Sequence, residues 1–181
     1  RLIMDGDIGW YSLAFIKHTL NQLNIYITTD FATSAKSGAD YSVIFVWGYT
    51  ANGEWLWLDG VVAKQDMAKN LDDRFRLVQR YRPLSVGVEV SGQQGGFVTL
   101  IKERMARENN WFTLASENNR GMEGIRPVTN KMIRFNTVVP LFKTKKILFP
   151  IEYREDPRIV ETVTELSMIS VNAMKAKHDD C

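Results

Sequence analysis

The first half of this chain contains three runs of β-branched and aromatic residues, at 25–29, 41–49 and 54–62. Runs of this length and composition are typical of β-strands. The second and third runs are separated by a segment that contains Asn52-Gly53, a pair that favours a tight hairpin turn. The three runs therefore predict an antiparallel meander.

Helical spacing of apolar residues follows the meander, over residues 64–81, and Pro83 prevents its continuation. The next run, 84–90, is almost entirely apolar, which is typical of a strand buried on both faces in a parallel arrangement. A second helix is predicted over 97–108 and a fifth strand over 111–116. Alternation of strands and helices in this part of the chain predicts a parallel addition to the meander.

The two ends of the chain also predict helices. Apolar residues in 7–23 are spaced as one helical face and predict a lead-in helix. Further on, we expect a helix over 131–142 that turns over at Pro140, and a short strand over 147–149. Asp156-Pro157 is typical of a helix start, and that helix is expected to reach about residue 172. The whole pattern predicts an α/β fold with a mixed sheet flanked by helices.

The composition is that of an ordinary globular domain. The 181 residues are 45% hydrophobic and 24% charged, which fits a single domain with a proper core. One cysteine, Cys181, excludes an internal disulfide framework and fits a reducing, cytoplasmic type of compartment. No apolar run approaches the roughly 20 residues of a membrane span, and no GxxxxGK[ST] phosphate loop is present. Because both ends of the sequence are abrupt, we expect a piece excised from a longer polypeptide.

Two carboxylates follow apolar strands, Asp30 after the first and Glu89 in the buried run. A lone charge is costly at such a position, and the carboxyl ends of strands line the functional crevice of open α/β sheets. Two carboxylates that face each other there repel unless a cation bridges them or one is protonated. Carboxylates without a histidine or cysteine cluster select hard ions such as Mg²⁺ or Mn²⁺. The pair therefore indicates a divalent metal site.

Three further acids have both a functional and a purely structural interpretation. Asp40 precedes the second strand and would equally serve as a turn cap, while Asp179 and Asp180 would equally belong to a frayed tail. A protein nucleophile is poorly supported, because the sequence has no GxSxG elbow and only two histidines, His18 and His178. His18 fits a structural position, and His178 adjoins the terminal acids and could assist there.

Residues 118–149 differ in character from the rest of the chain. Their cations outnumber the single acid Glu123, although the net charge of the whole chain is only +2. Such a segment suits contacts to DNA phosphates, with a solvated charged loop as the alternative. The candidate DNA-binding residues are Arg120, Arg126, Lys131, Arg134, Lys143, Lys145 and Lys146.

Four motifs together resemble the nuclease domain of phage terminase large subunits, the motors that package viral DNA. They are TTDFATSAKSGADYSVIFV, VGVEVSGQQGG, NKMIRFNTVVPLFKTKKILFP and KHDD, which occur in this order and extend over nearly the whole chain. The resemblance implies a ribonuclease-H-like fold and an endonuclease that cuts double-stranded DNA with two Mg²⁺ or Mn²⁺ ions. It also implies an N-terminal ATPase domain, a small terminase subunit and a portal as partners, and a location in the host-cell cytoplasm without membrane association.

The resemblance assigns the metal ligands residue by residue. It implies an acidic cluster of Asp30, Glu89 and one of Asp179 or Asp180, with Asp40 as an accessory acid. Asp30 would be the bridging ligand. Since the sequence ends at residue 181, the helix and further acid that often follow the last acid of the family are missing from it.

Other functions remain open from the residues alone. A Holliday-junction resolvase or transposase-type nuclease would have the same fold and acids. A catalytically silent DNA-docking module would have the basic segment without the chemistry. A nucleotide-binding module of the actin and sugar-kinase type is disfavoured, because Phe31 and Ala32 stand where its phosphate loop needs glycine soon after the first acid.

Overall fold

The structure is a computed structural model that describes residues 1–31, 41–90 and 95–170 and the backbone of 173–174. The strands are β1 (Gly9–Tyr11), β2 (Asn24–Asp30), β3 (Ser42–Tyr49), β4 (Trp55–Ala63), β5 (Ser85–Val88), β6 (Ser116–Glu117), β7 (Gly124–Ile125), β8 (Ile147–Pro150), β9 (Ile169–Ser170) and β10 (Ala173–Met174). The helices are α1 (Leu13–Ile16), α2 (Met67–Tyr81), α3 (Gly95–Glu108), α4 (Lys131–Lys143) and α5 (Pro157–Met168).

Six strands form one sheet in the order β1-β8-β4-β3-β2-β5. β8 runs parallel to both β1 and β4, and β2 runs parallel to β5. A tight turn joins β3 to β4, where the Gly53 N–H donates to the Thr50 carbonyl at 3.0 Å. Gly53 has a φ of +77°, a conformation that glycine adopts without strain. The prediction of a mixed sheet, with a meander and parallel strands flanked by helices, is confirmed.

The chain divides into two compact units. One unit consists of Arg1–Asn24, Trp47–Gly60 and Thr129–Cys181, and its buried side chains include Trp57, Phe149 and Ile159. The other consists of Ile25–Val46 and Val61–Val128, and its buried side chains include Ile27, Val86 and Ile101. Each unit therefore buries large apolar side chains of its own.

The prediction of one lead-in helix over 7–23 is wrong. Only Leu13–Ile16 is α-helical in this stretch, and residues 9–11 form the strand β1. β1 pairs with β8 in the register Gly9↔Leu148. A Cβ atom at Gly9 would lie 2.4 Å from the Leu148 Cδ2 atom and 3.1 Å from the Ile147 carbonyl oxygen, so glycine allows this close packing. This contact joins residues far apart in the sequence, which local helical spacing cannot reveal.

Three other elements differ from their prediction. Residues 111–115 form no regular strand, although Leu114 makes one isolated bridge to Val86 of β5, and Ser116 begins the short strand β6. Helix α4 continues through Pro140 to Lys143, and α5 ends at Met168, before the expected residue 172. No helix within the described residues is both long enough and apolar enough to cross a membrane.

Candidate metal centre

Parallel pairing of β2 with β5 brings two of the predicted acids to one edge of the sheet. The register of β2 against β5 runs through Thr28↔Gly87 to Thr29↔Val88. Asp30 is the last residue of β2 and Glu89 immediately follows β5, so the two acids occupy the next position on neighbouring strands. Neighbouring strands lie about 4.8 Å apart, and residues at matching positions project from the same face.

The chemistry of this pair fits a hard divalent cation. Asp30 and Glu89 are both half-buried, where mutual repulsion between two carboxylates is poorly screened by water. Their oxygens are the ligand type that Mg²⁺ and Mn²⁺ prefer. The described residues contain no group of three or more histidine, cysteine, aspartate or glutamate side chains placed to hold a metal ion. Within the described residues, Asp30 and Glu89 are therefore the two candidate carboxylate ligands, and a third side-chain ligand of these types would have to come from residues that the structure does not describe.

The other predicted acids cannot be compared with the structure. Asp40, Asp179 and Asp180 lie outside the described residues, as does His178. Their assignment as metal ligands therefore stays a prediction. His18 is exposed in the turn that follows α1.

Two of the predicted DNA-binding cations lie on either side of β7, whose last residue pairs with the end of β5. Glu89 forms a bridge with Ile125, and the Val90 N–H donates to the Ile125 carbonyl at 2.8 Å. Arg126 is the next residue along and is exposed, as is Arg120. The structure thereby brings positive charge to the chain beside Glu89.

The three lysines after Pro140 already make contacts within the protein. Lys143 forms an ion pair with Asp7 at 2.5 Å, and the hydrogen bond from Lys143 lowers the pKa of the Asp7 carboxyl. Lys145 donates to the carbonyls of Gly6 and Ile8, and Lys146 donates to the Asn52 carbonyl at 3.1 Å. These ammonium groups therefore bind loops of the protein, and any contact with DNA would be in addition to these bonds.

Lys131 and Arg134 lie in the first turns of α4 and are half-buried. The helix begins there because the side chain of Asn130 accepts a hydrogen bond from the Ile133 N–H at 2.8 Å. Their place on a capped helix gives these two cations a fixed backbone.

The sequence analysis missed Arg74, which lies in α2 and is completely buried. Its Nη2 donates to the Thr29 hydroxyl at 2.5 Å, and that hydroxyl donates to the Gly87 carbonyl of β5 at 2.6 Å. The guanidinium also lies over the Phe31 ring, 4.6 Å from its centroid. Burial lowers the pKa of the Arg74 guanidinium to about 9, which leaves it a cation at neutral pH.

A sequence signal for this buried position exists. Asn70, Asp73 and Arg74 precede Leu77 and Val78 at the spacing of a single helical face, and all five are buried. Polar residues on the same helical face as core residues indicate a buried polar contact. The spacing of the apolar residues alone did not identify this contact.

No protein-family model matches the chain, and no curated protein matches its sequence. Several solved structures do match the fold of this chain. The nuclease domain of the human cytomegalovirus terminase matches with a TM-score of 0.62 at 13% identity, over 98% of this chain and 89% of that one. A manganese-soaked, inhibitor-bound form of that domain matches with a TM-score of 0.61 at 12% identity, over 94% and 86%.

A phage structure matches as well. The large terminase nuclease of the thermophilic phage G20c, with bound zinc, has a TM-score of 0.54 at 16% identity, over 88% of this chain and 76% of that one. The fold is therefore that of a ribonuclease-H-like domain. More narrowly, it is the fold of the terminase nuclease domains.

Proposed function

We propose that this chain is a divalent-metal-dependent endonuclease that cuts double-stranded DNA during viral genome packaging. The observation that supports it best is the position of Asp30 and Glu89, one residue beyond the Thr29↔Val88 pair of two parallel strands. This pair occurs in a fold shared with terminase nuclease domains. A metal ion would explain the matching positions of the two acids at the carboxyl ends of these strands.

Asp30 and Glu89 would hold the metal, with Asp40 and one of Asp179 or Asp180 as the ligands that the family resemblance adds. Two Mg²⁺ or Mn²⁺ ions, when bound, activate a water molecule for attack on the phosphodiester and stabilise the leaving oxygen. The manganese and zinc in the matching structures agree with a site for divalent ions. The side chains of this chain then have to position ligands and bind DNA, and no protein nucleophile is required.

The basic residues would bind the phosphates on either side of the cut. Arg126 is the best supported, because it is exposed and directly follows Ile125, which pairs with Glu89, although its Nε also donates to the Asn119 side chain at 3.3 Å. Arg120 is exposed in the turn before β7 and is proposed with it. Lys131 and Arg134 are proposed with them as a second contact region. Lys143, Lys145 and Lys146 are retained as candidates, although each also binds a group of the protein.

The biological setting is proposed from the resemblance as well. The chain would act as one nuclease domain beside an N-terminal ATPase domain, with the small terminase subunit and the portal as partners. It would work in the host-cell cytoplasm, where packaging takes place.

Plasmid digestion tests the proposed activity. Supercoiled plasmid should be cut in Mg²⁺ or Mn²⁺, left intact in EDTA, and cut again when metal is restored in excess. Glu89→Gln should abolish cutting and preserve the circular dichroism spectrum, because it removes a ligand charge at nearly constant volume. Cutting that continues in EDTA would contradict the proposal.

Glu117→Gln provides the matched control, since Glu117 is exposed on β6 and undergoes the same chemical change. We expect this variant to cut at the wild-type rate. Branched junctions serve as a second substrate. If the chain cut only branched junctions and not plasmid, its function would be junction resolution and not genome packaging.

A further inference from the structure

The buried guanidinium of Arg74 is poorly satisfied by the described part of the chain. Nη2 binds Thr29, but Nε and Nη1 are buried without a hydrogen-bond partner among the described residues. Buried polar groups left in this way destabilise a fold, and a buried charge is weak evidence for a stabilising role. The contacts among the described residues therefore do not explain the burial of Arg74 by stability alone.

The contacts of Arg74 converge on the residues beside the acid pair. Thr29 directly precedes Asp30, and Gly87 lies two residues before Glu89. The bond from Arg74 to the Thr29 hydroxyl, together with the bond from that hydroxyl to the Gly87 carbonyl, ties α2, β2 and β5 together. The Phe31 ring on the other side of Asp30 lies against the same guanidinium. Arg74 thus contacts both chain neighbours of Asp30.

We propose that Arg74 is a positioning residue for the metal site, which fixes the spacing of Asp30 and Glu89 through Thr29 and Phe31. Because this role presupposes that the two acids hold a divalent cation, it rests on the function proposed above. Partners that orient metal ligands change metal affinity by roughly 10- to 100-fold when they are removed. The side chain itself is completely buried and does not touch the metal or the DNA.

The test is Mn²⁺ affinity, measured by electron paramagnetic resonance on the folded chain, together with the thermal midpoint. Arg74→Met keeps an unbranched apolar side chain but removes the guanidinium, and with it the charge, the contact over the Phe31 ring and the donor to Thr29. We expect about tenfold weaker Mn²⁺ binding with an unchanged or raised thermal midpoint. A purely structural arginine would give the opposite result, a lowered midpoint with wild-type Mn²⁺ affinity.

Arg104 supplies a matched control. It lies over the Phe75 ring at 4.6 Å, the same centroid distance as Arg74 over Phe31, but its hydrogen bonds go to Asp72 and Glu108. Arg104→Met should therefore leave Mn²⁺ affinity unchanged. If both variants lost Mn²⁺ affinity in proportion to lost stability, the positioning role would be overturned.

Thr29 keeps the test decisive if Arg74→Met does not fold. Thr29→Val preserves the shape of the side chain and removes the hydroxyl, so it should weaken Mn²⁺ binding about tenfold. Thr29→Ser restores the hydroxyl and should restore affinity. The double variant of Arg74→Met and Thr29→Val should bind no more weakly than either single variant, since both remove one linkage. Wild-type affinity in Thr29→Val would contradict the role.

The two proposals fail in distinguishable ways. A wild-type chain that binds no Mn²⁺, or binds it equally well after Asp30→Asn, refutes the proposed function. Binding that depends on Asp30 but is unaffected by Arg74 and Thr29 refutes only the positioning role.

Discussion

One hydroxyl and one glycine determine the packing at the ends of β2 and β5. The Thr29 hydroxyl joins α2 to β5, and Gly124 allows the segment beside Glu89 to approach β5 closely. A Cβ atom at Gly124 would lie 2.6 Å from the Val90 Cγ1 atom, and its φ of +114° is rare for other residues. The position of Glu89 therefore depends on a glycine that does no chemistry itself.

Gly124→Ala should lower the free energy of unfolding by about 1–3 kcal/mol, through overpacking against Val90 and backbone strain. Urea denaturation measures this change in the free energy of unfolding. Gly96→Ala is the control, because Gly96 is in helix α3 and an added Cβ there meets nothing within 4 Å. That variant should be neutral or slightly more stable. Equal stability of the two variants would contradict the close packing at Gly124.

Helix α5 shows how a local signal determines an element. Asp156 caps it by accepting from the Arg158 N–H at 2.9 Å, and Pro157 occupies the first turn. The Arg158 side chain returns to Asp156 and also binds Asp59 at 3.0 Å. Hydrogen bonds from Arg158 hold the pKa of the Asp156 carboxyl below its usual range.

A lowered pKa in the folded state means that Asp156 stabilises the fold when ionised. This contribution is fully present above about pH 4 and is lost as the pH falls through the lower, folded-state pKa. The wild type should therefore lose more unfolding free energy than Asp156→Asn between about pH 5 and about pH 2, by roughly 1 kcal/mol. Denaturant titrations across this range measure it. In an Arg158→Met background the difference should shrink, because the side-chain bonds to Asp156 are lost while the backbone N–H of residue 158 still donates to it. Parallel curves for the wild type and Asp156→Asn would contradict the assignment.

The elements that the sequence predicted well are those defined by local chemistry. Asn52-Gly53, Pro83 and Asp156-Pro157 mark boundaries through turn and cap preferences that act over a few residues. The failures depend on distant contacts. β1 forms through its pairing with β8, and the stretch around Leu114 makes one isolated bridge to β5. The acids at strand ends were found from their positions after apolar runs, whereas Arg74 required knowledge of which face of α2 is buried.

At the scale of the whole molecule, the fold matches terminase nuclease domains at 12–16% identity. At such low identity the architecture is what is shared. The chain-wide net charge of +2 predicts little about DNA, so binding must depend on where the cations lie. Arg120 and Arg126 are exposed on either side of β7, which pairs with Glu89 through Ile125, and this makes them the most direct test of a DNA-binding surface.

Replacing these two cations, with Arg120→Asn and Arg126→Gln, should weaken binding to duplex DNA of any sequence. The slope of log affinity against log salt should fall by about 1.8, since each phosphate contact contributes about 0.9. Fluorescence anisotropy over a salt series measures it. Lys17→Gln with Arg107→Gln removes the same charge from exposed positions elsewhere and should leave the slope unchanged. Equal slopes for all three proteins would exclude Arg120 and Arg126 from the interface.

The central claim is that Asp30 holds the divalent metal with which this chain cuts DNA. The rate of plasmid cleavage in saturating Mn²⁺, wild type against Asp30→Asn, tests it most directly. We expect a loss on the order of a thousandfold, since metal stabilisation of the transition state is worth several kcal/mol. Asp66→Asn, the same change at the exposed N-cap of α2, should cut at the wild-type rate. A folded Asp30→Asn variant that linearised plasmid at nearly the wild-type rate would contradict the claim.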